Sequence, residues 1–229
     1  MKIIFLLLIL FSSNILAQKK YAFDRISTYS REIVKPGERK KDKNDSITKL
    51  QVIYLTQEND NSYFALLTKK DSLNFTFKLT DRNGVKITMD ISRIQFEQLE
   101  TLEAPCKNIS EYVNPYKYQV KNYDFTEIKD TIIEGVSYSS YKLTSNNSKR
   151  AKRKKLGTNL YIIDKSTTEH LPFLTFATAY EEWKTVRNIP NGLFIEKHML
   201  FYSGKTFMKE KIISTHKIQK QIIIASPCL

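Results

Sequence analysis

Apolar and polar residues alternate from position 73 to position 91, and this alternation predicts an antiparallel hairpin. A period of two with one apolar face is typical of a half-buried strand. Between the two strands stands Asp81-Arg82-Asn83-Gly84, which suits a type I turn followed by a left-handed glycine. A three-residue loop keeps both apolar sets on one face of the hairpin. The resulting cross-strand pairs are Leu79 with Ile87, Phe77 with Met89, and Phe75 with Ile91.

Similar patterns predict a long antiparallel meander along the rest of the chain. Further strands are expected at 50–56, 63–68, 120–128, 131–133, 136–144 and 160–164. A second hairpin with Ser203-Gly204 as a two-residue loop places Lys197 opposite Glu210 and Glu196 opposite Lys211. Residues 221–225 predict a last short strand that is buried or covered. Residues 18–50 open with Tyr21-Ala22-Phe23 and then become polar, which indicates a loop, above all at 36–45.

Two segments favour helices. The apolar spacing within 91–102 suits a helix capped by Asp90. Apolar residues within 173–184 also recur at helical spacing, with Pro172 in the first turn, although a strand over 173–178 is the alternative. In the helical interpretation Tyr180 and Trp183 face a sheet. The expected fold is therefore mainly β, a curved antiparallel sheet forming a half-barrel or open barrel with one or two packed helices.

The N-terminus reads as an export signal. Lys2 precedes an apolar run that ends in Asn14-Ile15-Leu16-Ala17, which predicts a signal peptide over 1–17 and a single exported β-rich domain over 18–229. The domain is expected in the periplasm, on the outer surface or secreted, and no later run is long enough to span a membrane. Since an oxidising compartment permits a disulfide, the sequence leaves open whether Cys106 and Cys228 are bonded.

Charge adds one further candidate feature. The formal net charge is +13, and six basic residues are concentrated in one run: Lys149, Arg150, Lys152, Arg153, Lys154 and Lys155. The run is interpreted either as the solvated tip of a long hairpin or as a docking site for an anionic lipid or polysaccharide surface. Nucleic acid is not an expected partner, because the run lacks the interleaved aromatic residues that base stacking needs.

The sequence shows no catalytic motif. It has no Gly-x-Ser-x-Gly elbow, no phosphate loop and no dinucleotide fingerprint, and its three histidines lack the spacing of a zinc helix. The adjacent pair Glu169-His170 reads as surface rather than as an acid–base pair. We therefore expect neither an enzyme nor a metal, and no cofactor.

An export signal and a long antiparallel meander occur together with the stretches Asp130 to Tyr138 ahead of Tyr141-Lys142-Leu143, then Tyr161 to Lys165, and Pro190-Asn191-Gly192-Leu193. This combination resembles the periplasmic lipoprotein-carrier (LolA-like) half-barrel proteins and related uncharacterised exported proteins. The resemblance implies an unclosed barrel, lined with apolar residues and capped by helices, that holds acyl chains. No motif aligns the family's ligand-contacting residues with positions in this chain.

Two functions follow as hypotheses. In the first, the protein binds a lipid or an acylated partner in an apolar concavity, with Phe75, Phe77, Met89 and Phe176 as candidates for its lining. In the second, it is a cell-surface or matrix interaction module that docks on anionic surfaces through the basic run.

Overall fold

The computed structural model describes residues 18–35, 46–225 and 228. The predicted signal peptide and the predicted loop at 36–45 lie outside these residues. The strands are β1 Lys19–Lys35, β2 Ser46–Gln57, β3 Asp60–Lys69, β4 Asn74–Asp81, β5 Val85–Ser92, β6 Thr101–Ala104, β7 Ile109–Glu111, β8 Tyr123–Ile133, β9 Val136–Ser145, β10 Thr158–Ile163, β11 Phe194–Leu200 and β12 Thr206–Ile224. The α-helices of the described residues are α1 Arg93–Gln98, α2 Ser148–Lys154 and α3 Ala177–Val186, and short 3-10 helices lie at Cys106–Asn108, Lys117–Asn122 and Lys165–Thr167.

All twelve strands of the described residues belong to one curved, unclosed sheet, and eleven of them follow the order β7-β5-β4-β3-β2-β1-β12-β11-β10-β9-β8. Every neighbouring pair along this order is antiparallel, and β6 adds to the C-terminal end of β12 in parallel. The predicted fold class, a mainly β curved antiparallel sheet with packed helices, is confirmed.

Two hydrophobic cores lie on opposite faces of β2 and β3. The first core includes Val52 and Tyr54 of β2 and is covered by α3, whose Tyr180 and Trp183 are buried in it as the helical spacing predicts. The second core includes Leu55 of β2 and the inward face of the β4–β5 hairpin. Because successive strand residues point to opposite faces, one strand serves both cores.

The register predicted for the first hairpin is confirmed. Leu79 lies opposite Ile87, Phe77 opposite Met89 and Phe75 opposite Ile91. Gly84 has a φ of +122°, which only glycine adopts readily.

The register predicted for the second hairpin is correct within the strands and wrong at the tip. Lys197 lies opposite Glu210, but a register shift after Met199 replaces the predicted two-residue loop, and Gly204 N–H donates to the Phe201 carbonyl at 2.9 Å. The second strand of this hairpin also continues without a break into the predicted last strand, so that β12 has 19 residues.

Other boundaries of helices and strands differ from the predicted ones for local reasons. The predicted helix over 91–102 is only α1, because β5 continues to Ser92, whose side chain accepts the capping hydrogen bond from Gln95 N–H. Pro172 lies outside α3, whose N-cap is Phe176. The basic run forms α2 rather than a hairpin tip, since Asn147 caps it by accepting from Arg150 N–H at 2.9 Å.

Strand β1 is not predicted from the sequence, although it joins the two halves of the sheet. Its inward positions include Arg25 and Ser27, which interrupt the apolar face. Both are buried because they find partners: Arg25 pairs with Glu58 and with Glu169 (3.1 Å), and Ser27 hydrogen-bonds Thr215 (2.9 Å). A polar side chain can be buried at little cost where it is hydrogen-bonded.

A disulfide joins Cys106 to Cys228, with the two Cα atoms 4.9 Å apart. It fixes the C-terminal end of the chain to the turn that follows β6. Within the described ranges, no helix is long and apolar enough to cross a membrane.

Candidate functional site

Two adjoining clefts open at one margin of the first core. The first, which we call the mouth cleft, has a volume of about 250 Å³, and the second, the rim cleft, about 540 Å³. The mouth cleft is lined by Tyr123, Leu143, Lys155, Gly157, Thr158, Asn159, Phe176, Met199, Leu200, Phe201 and Phe207. The rim cleft is lined by Val34, Lys155, Phe201, Tyr202, Ser203, Lys205 and Thr206. Lys155 and Phe201 line both, so the two clefts form one candidate site.

Three neighbouring strands form the floor of the mouth cleft. Asn159 on β10 lies opposite Leu143 on β9 and opposite Met199 on β11. Phe176 and Tyr123 complete the apolar wall, and the Phe176 ring packs against Tyr116 with centroids 5.8 Å apart. The antiparallel register therefore places a row of apolar side chains from consecutive strands side by side.

Asn159 is the polar exception in this floor. It is 8% exposed and lines the cleft between Leu143 and Met199. A buried amide normally has a hydrogen-bond partner, because an unpaired polar group in an apolar environment costs free energy. Its position in the wall of the cleft offers a donor and an acceptor to whatever occupies the cleft.

Gly157 brings the connection between α2 and β10 against β11. A Cβ atom at this position would lie 2.1 Å from the carbonyl oxygen of Leu200, so no larger residue fits. This close approach holds Lys155, which ends α2 in the left-handed region (φ +49°), at the entrance of both clefts.

Helix α2 is held to the sheet by Arg150. Its guanidinium donates to Gln119 Oε1 at 2.8 Å and lies 5.4 Å from the centroid of the Tyr123 ring. The remaining basic residues of the predicted run are exposed: Lys149, Lys152, Arg153, Lys154 and Lys155. One member of the run is thus structural and five face solvent.

A buried cluster of charges lies further along the same strands. Lys197 Nζ is 2.6 Å from Glu210 Oε2 and 2.7 Å from Thr175 Oγ1, while Arg31 contacts Glu210 Oε1 at 2.6 Å. Tyr54 also donates to Glu210 Oε1, at 3.0 Å. Two cations thus share one carboxylate within the first core.

The pKa values of this cluster follow from its burial. Burial lowers the pKa of Lys197, although Glu210 opposes this. Burial would raise the pKa of Glu210, but the facing Lys197 and Arg31 lower it. The sequence predicts the Lys197–Glu210 pair as an ordinary cross-strand pair. The pair is instead fully buried, because α3 and the segment before it cover this face.

The two residues of the second predicted charge pair, Glu196 and Lys211, contact other residues instead of each other. Glu196 Oε2 contacts Lys209 at 2.9 Å and His198 at 3.0 Å, and Lys211 instead approaches Glu134 at 3.6 Å. Glu196 lies directly opposite Lys211 in register, but the side chains lean diagonally.

The four predicted lining residues do not share one cavity. Phe75, Phe77 and Met89 belong to or pack against the second core, and Phe77 is fully buried there. Only Phe176 lines the mouth cleft. Phe75 and Met89 border two separate clefts, of about 620 and 770 Å³, on the other side of the sheet. Strand alternation marks Phe75, Phe77 and Met89 as inward-facing, and helical spacing marks Phe176, but neither pattern distinguishes the two cores.

The described residues include no group of three or more His, Cys, Asp or Glu side chains placed to hold a metal ion. His170, predicted at the surface beside Glu169, is fully buried and its Nε2 lies 2.8 Å from Thr56 Oγ1. Burial lowers the pKa of His170. Its Nδ1 contacts the Leu171 carbonyl oxygen, so both ring nitrogens are occupied within the protein.

No model of a known protein family matches the sequence, and a comparison with curated proteins finds no match. Among solved structures, the chain is similar to MucB of Pseudomonas aeruginosa in its complex with MucA, at 12% identity and a TM-score of 0.40, over 85% of this chain and 51% of that one. It therefore spans about half the length of that MucB chain.

The chain is also similar to a conserved protein from Thermus thermophilus, at 10% identity and a TM-score of 0.42, over 90% of this chain and 82% of that one. A further similar structure is a protein domain assigned to outer membrane lipoprotein sorting, from Vibrio parahaemolyticus, at 10% identity and a TM-score of 0.31, over 85% of both chains. The class of protein that the sequence resembles is thus among the solved structures to which this chain is similar.

Proposed function

We propose that the protein is an exported, non-enzymatic binding protein that takes an acyl chain, from a lipid or a lipidated partner, into the mouth cleft and the rim cleft. The observation that carries the proposal is the composition of the cleft. Apolar side chains of three adjacent strands surround one buried amide, Asn159, and a lysine, Lys155, stands at the entrance.

The size and lining of the site support this ligand class. Small-molecule sites are concave, mostly apolar and roughly 300–1,000 Å³ in volume, with a few polar groups that orient the ligand. The two clefts together lie in this range. An acyl chain gains about 0.8 kcal/mol for each buried CH₂ group. A cationic entrance complements an acidic head group, so an anionic amphiphile fits better than a neutral hydrocarbon.

Export is supported by two independent features. The first 17 residues have the charge and apolar run of a signal peptide. The disulfide between Cys106 and Cys228 belongs to an oxidising compartment.

Substitution of Met199 by tryptophan tests the proposal. The larger side chain should fill the floor of the mouth cleft and displace two or three CH₂ groups of a bound chain, a loss of about 2 kcal/mol. We expect the dissociation constant of a fluorescent fatty acid to rise about 30-fold in titrations with the full exported chain.

Leu99→Trp is the matched control, because Leu99 lines the 770 Å³ cleft beside α1 instead. This variant should bind the fatty acid as the unmodified protein does. No saturable binding by the unmodified protein, or equal weakening by the two substitutions, would reject the mouth cleft as the ligand site.

A further inference from the structure

Exposed aromatic side chains surround the entrance of the two clefts. Phe201 and Tyr202, in the tip between β11 and β12, are 38% and 49% exposed. Tyr116, which packs on Phe176 of the mouth cleft, is also exposed. Contiguous apolar patches at a protein surface often mark interaction sites.

The C-terminal end of α2 lies beside these aromatic residues. Lys155 lines the rim cleft together with Phe201, Tyr202 and Lys205. None of the ion pairs found among the described residues involves Lys205 or the five exposed basic residues of α2 and its C-cap. Their charges are therefore available to an external partner.

We propose that this end of the protein docks on an anionic lipid bilayer. Tyrosine and other amphipathic aromatic residues lie at the head-group level of membranes, and clustered Lys and Arg residues are attracted to acidic head groups. Here Lys155 and Lys205 share the rim cleft with Phe201 and Tyr202, the exposed charges of α2 directly precede Lys155, and Arg150 fixes the helix that carries them. The inference goes beyond ligand binding, because docking needs only this surface and not an occupied cleft.

The docked orientation would turn the cleft entrance toward the bilayer. Lys155 and Phe201 belong to the surface and to both clefts. An acyl chain that leaves the bilayer at this position could enter the cleft without exposure to bulk water, which connects the docking surface with the proposed ligand site.

Vesicle binding tests whether the basic residues contribute to docking on an anionic bilayer. The full chain is sedimented with vesicles of phosphatidylcholine alone and with vesicles that also contain phosphatidylglycerol. A variant with Lys149, Lys152, Arg153 and Lys154 changed to glutamine should lose at least about tenfold in affinity for the anionic vesicles. A control variant removes the same charge from exposed positions on four other strands, at Lys20, Lys69, Lys78 and Lys86, and should lose less than about twofold.

The insertion of the tip is tested with Tyr202→Trp. The native tryptophan, Trp183, is 3% exposed and gives a constant background. Emission from position 202 should shift to the blue and be quenched by brominated lipids, while emission from Ile94→Trp on α1 should not change.

Three results would overturn the docking surface: equal binding to neutral and anionic vesicles, equal losses in the two charge variants, or unchanged emission from position 202. Met199→Trp separates this proposal from the previous one, since filling the mouth cleft should weaken fatty-acid binding about 30-fold and leave vesicle binding as it is.

Discussion

Replacing Glu210 with glutamine should destabilise the protein far more than replacing Lys197 with methionine. The buried cluster holds two cations, Arg31 and Lys197, around one carboxylate, so its formal charge is positive. Glu210→Gln removes the only anion and leaves both cations buried without a counter-ion. Lys197→Met removes the excess cation and leaves a balanced Arg31–Glu210 pair, which Tyr54 also hydrogen-bonds.

The expected losses in the free energy of unfolding differ accordingly. Removing one partner of a buried ion pair typically costs about 3–5 kcal/mol, whereas an apolar replacement of similar volume is often close to neutral. For a chain of this size, each kcal/mol shifts the melting temperature by about 2–4 °C. Glu210→Gln should therefore lower the melting temperature by roughly 6–20 °C, and Lys197→Met by no more than a few degrees.

Urea unfolding, followed both by Trp183 fluorescence and by far-ultraviolet circular dichroism, measures the free energy of unfolding. Coincident transitions would justify a two-state treatment. Glu196→Gln is the matched control, because this carboxylate lies on the same hairpin but its partners Lys209 and His198 are partly solvated. It should cost no more than about 1 kcal/mol. Equal losses for Glu210→Gln and Lys197→Met would refute the assignment of excess positive charge to the first core.

Three other predictions address the disulfide, a carboxylate of α3 and a close backbone contact. Reducing the bond between Cys106 and Cys228, which are separated by 122 residues, should lower the free energy of unfolding by up to about 5 kcal/mol, and an unchanged urea midpoint in reductant would contradict this. Burial raises the pKa of Glu182 in the folded protein. Its favourable contribution to the free energy of unfolding is therefore present below the ordinary pKa of a glutamate and is lost as the pH rises through the pKa of the folded state. Glu182→Gln should therefore raise the melting temperature at pH 7 relative to the unmodified protein but not below about pH 4, and a pH-independent difference would count against the effect. Gly157→Ala should destabilise the protein by more than about 2 kcal/mol and weaken fatty-acid binding, since its Cβ would meet a backbone carbonyl at 2.1 Å; normal stability and binding would show that the backbone can yield there.

Local patterns in the sequence are sufficient to predict how the strands of the hairpins pair. The Asp81–Gly84 turn sets the loop length, and alternation then fixes every pair between β4 and β5. The same reasoning gives the pairing of Lys197 with Glu210 but misplaces the loop beyond Leu200, where a register shift depends on how the tip packs. The segment 173–176 is also misassigned, because helical spacing of apolar residues there reflects burial of an irregular segment rather than a helix.

The candidate site is less accessible to sequence reasoning. Phe176 is predicted as a lining residue, and the basic run is recognised as a candidate docking feature. The sequence gives no sign that Lys155 and Phe201 meet, because they lie on different connections and are brought together by the contact between Gly157 and Leu200. Asn159 carries no signal either, since one polar residue in a strand usually faces solvent.

The sequence by itself determined most strands other than β1, β6 and β7, which face of each hairpin is apolar and how the two strands of a hairpin pair, because these properties depend on residues close together in the chain. Only the tertiary structure decided which faces are covered. Strand β1 pairs with β12 across almost the whole chain, from Lys19 and Ile224 onward, and this distant pairing buries Arg25 and leaves Glu210 inside a core. Alternation of apolar and polar residues specifies the two faces of a strand but not what packs on each face. Long-range contacts determine that packing, and the packing produces both the buried charges and the cleft.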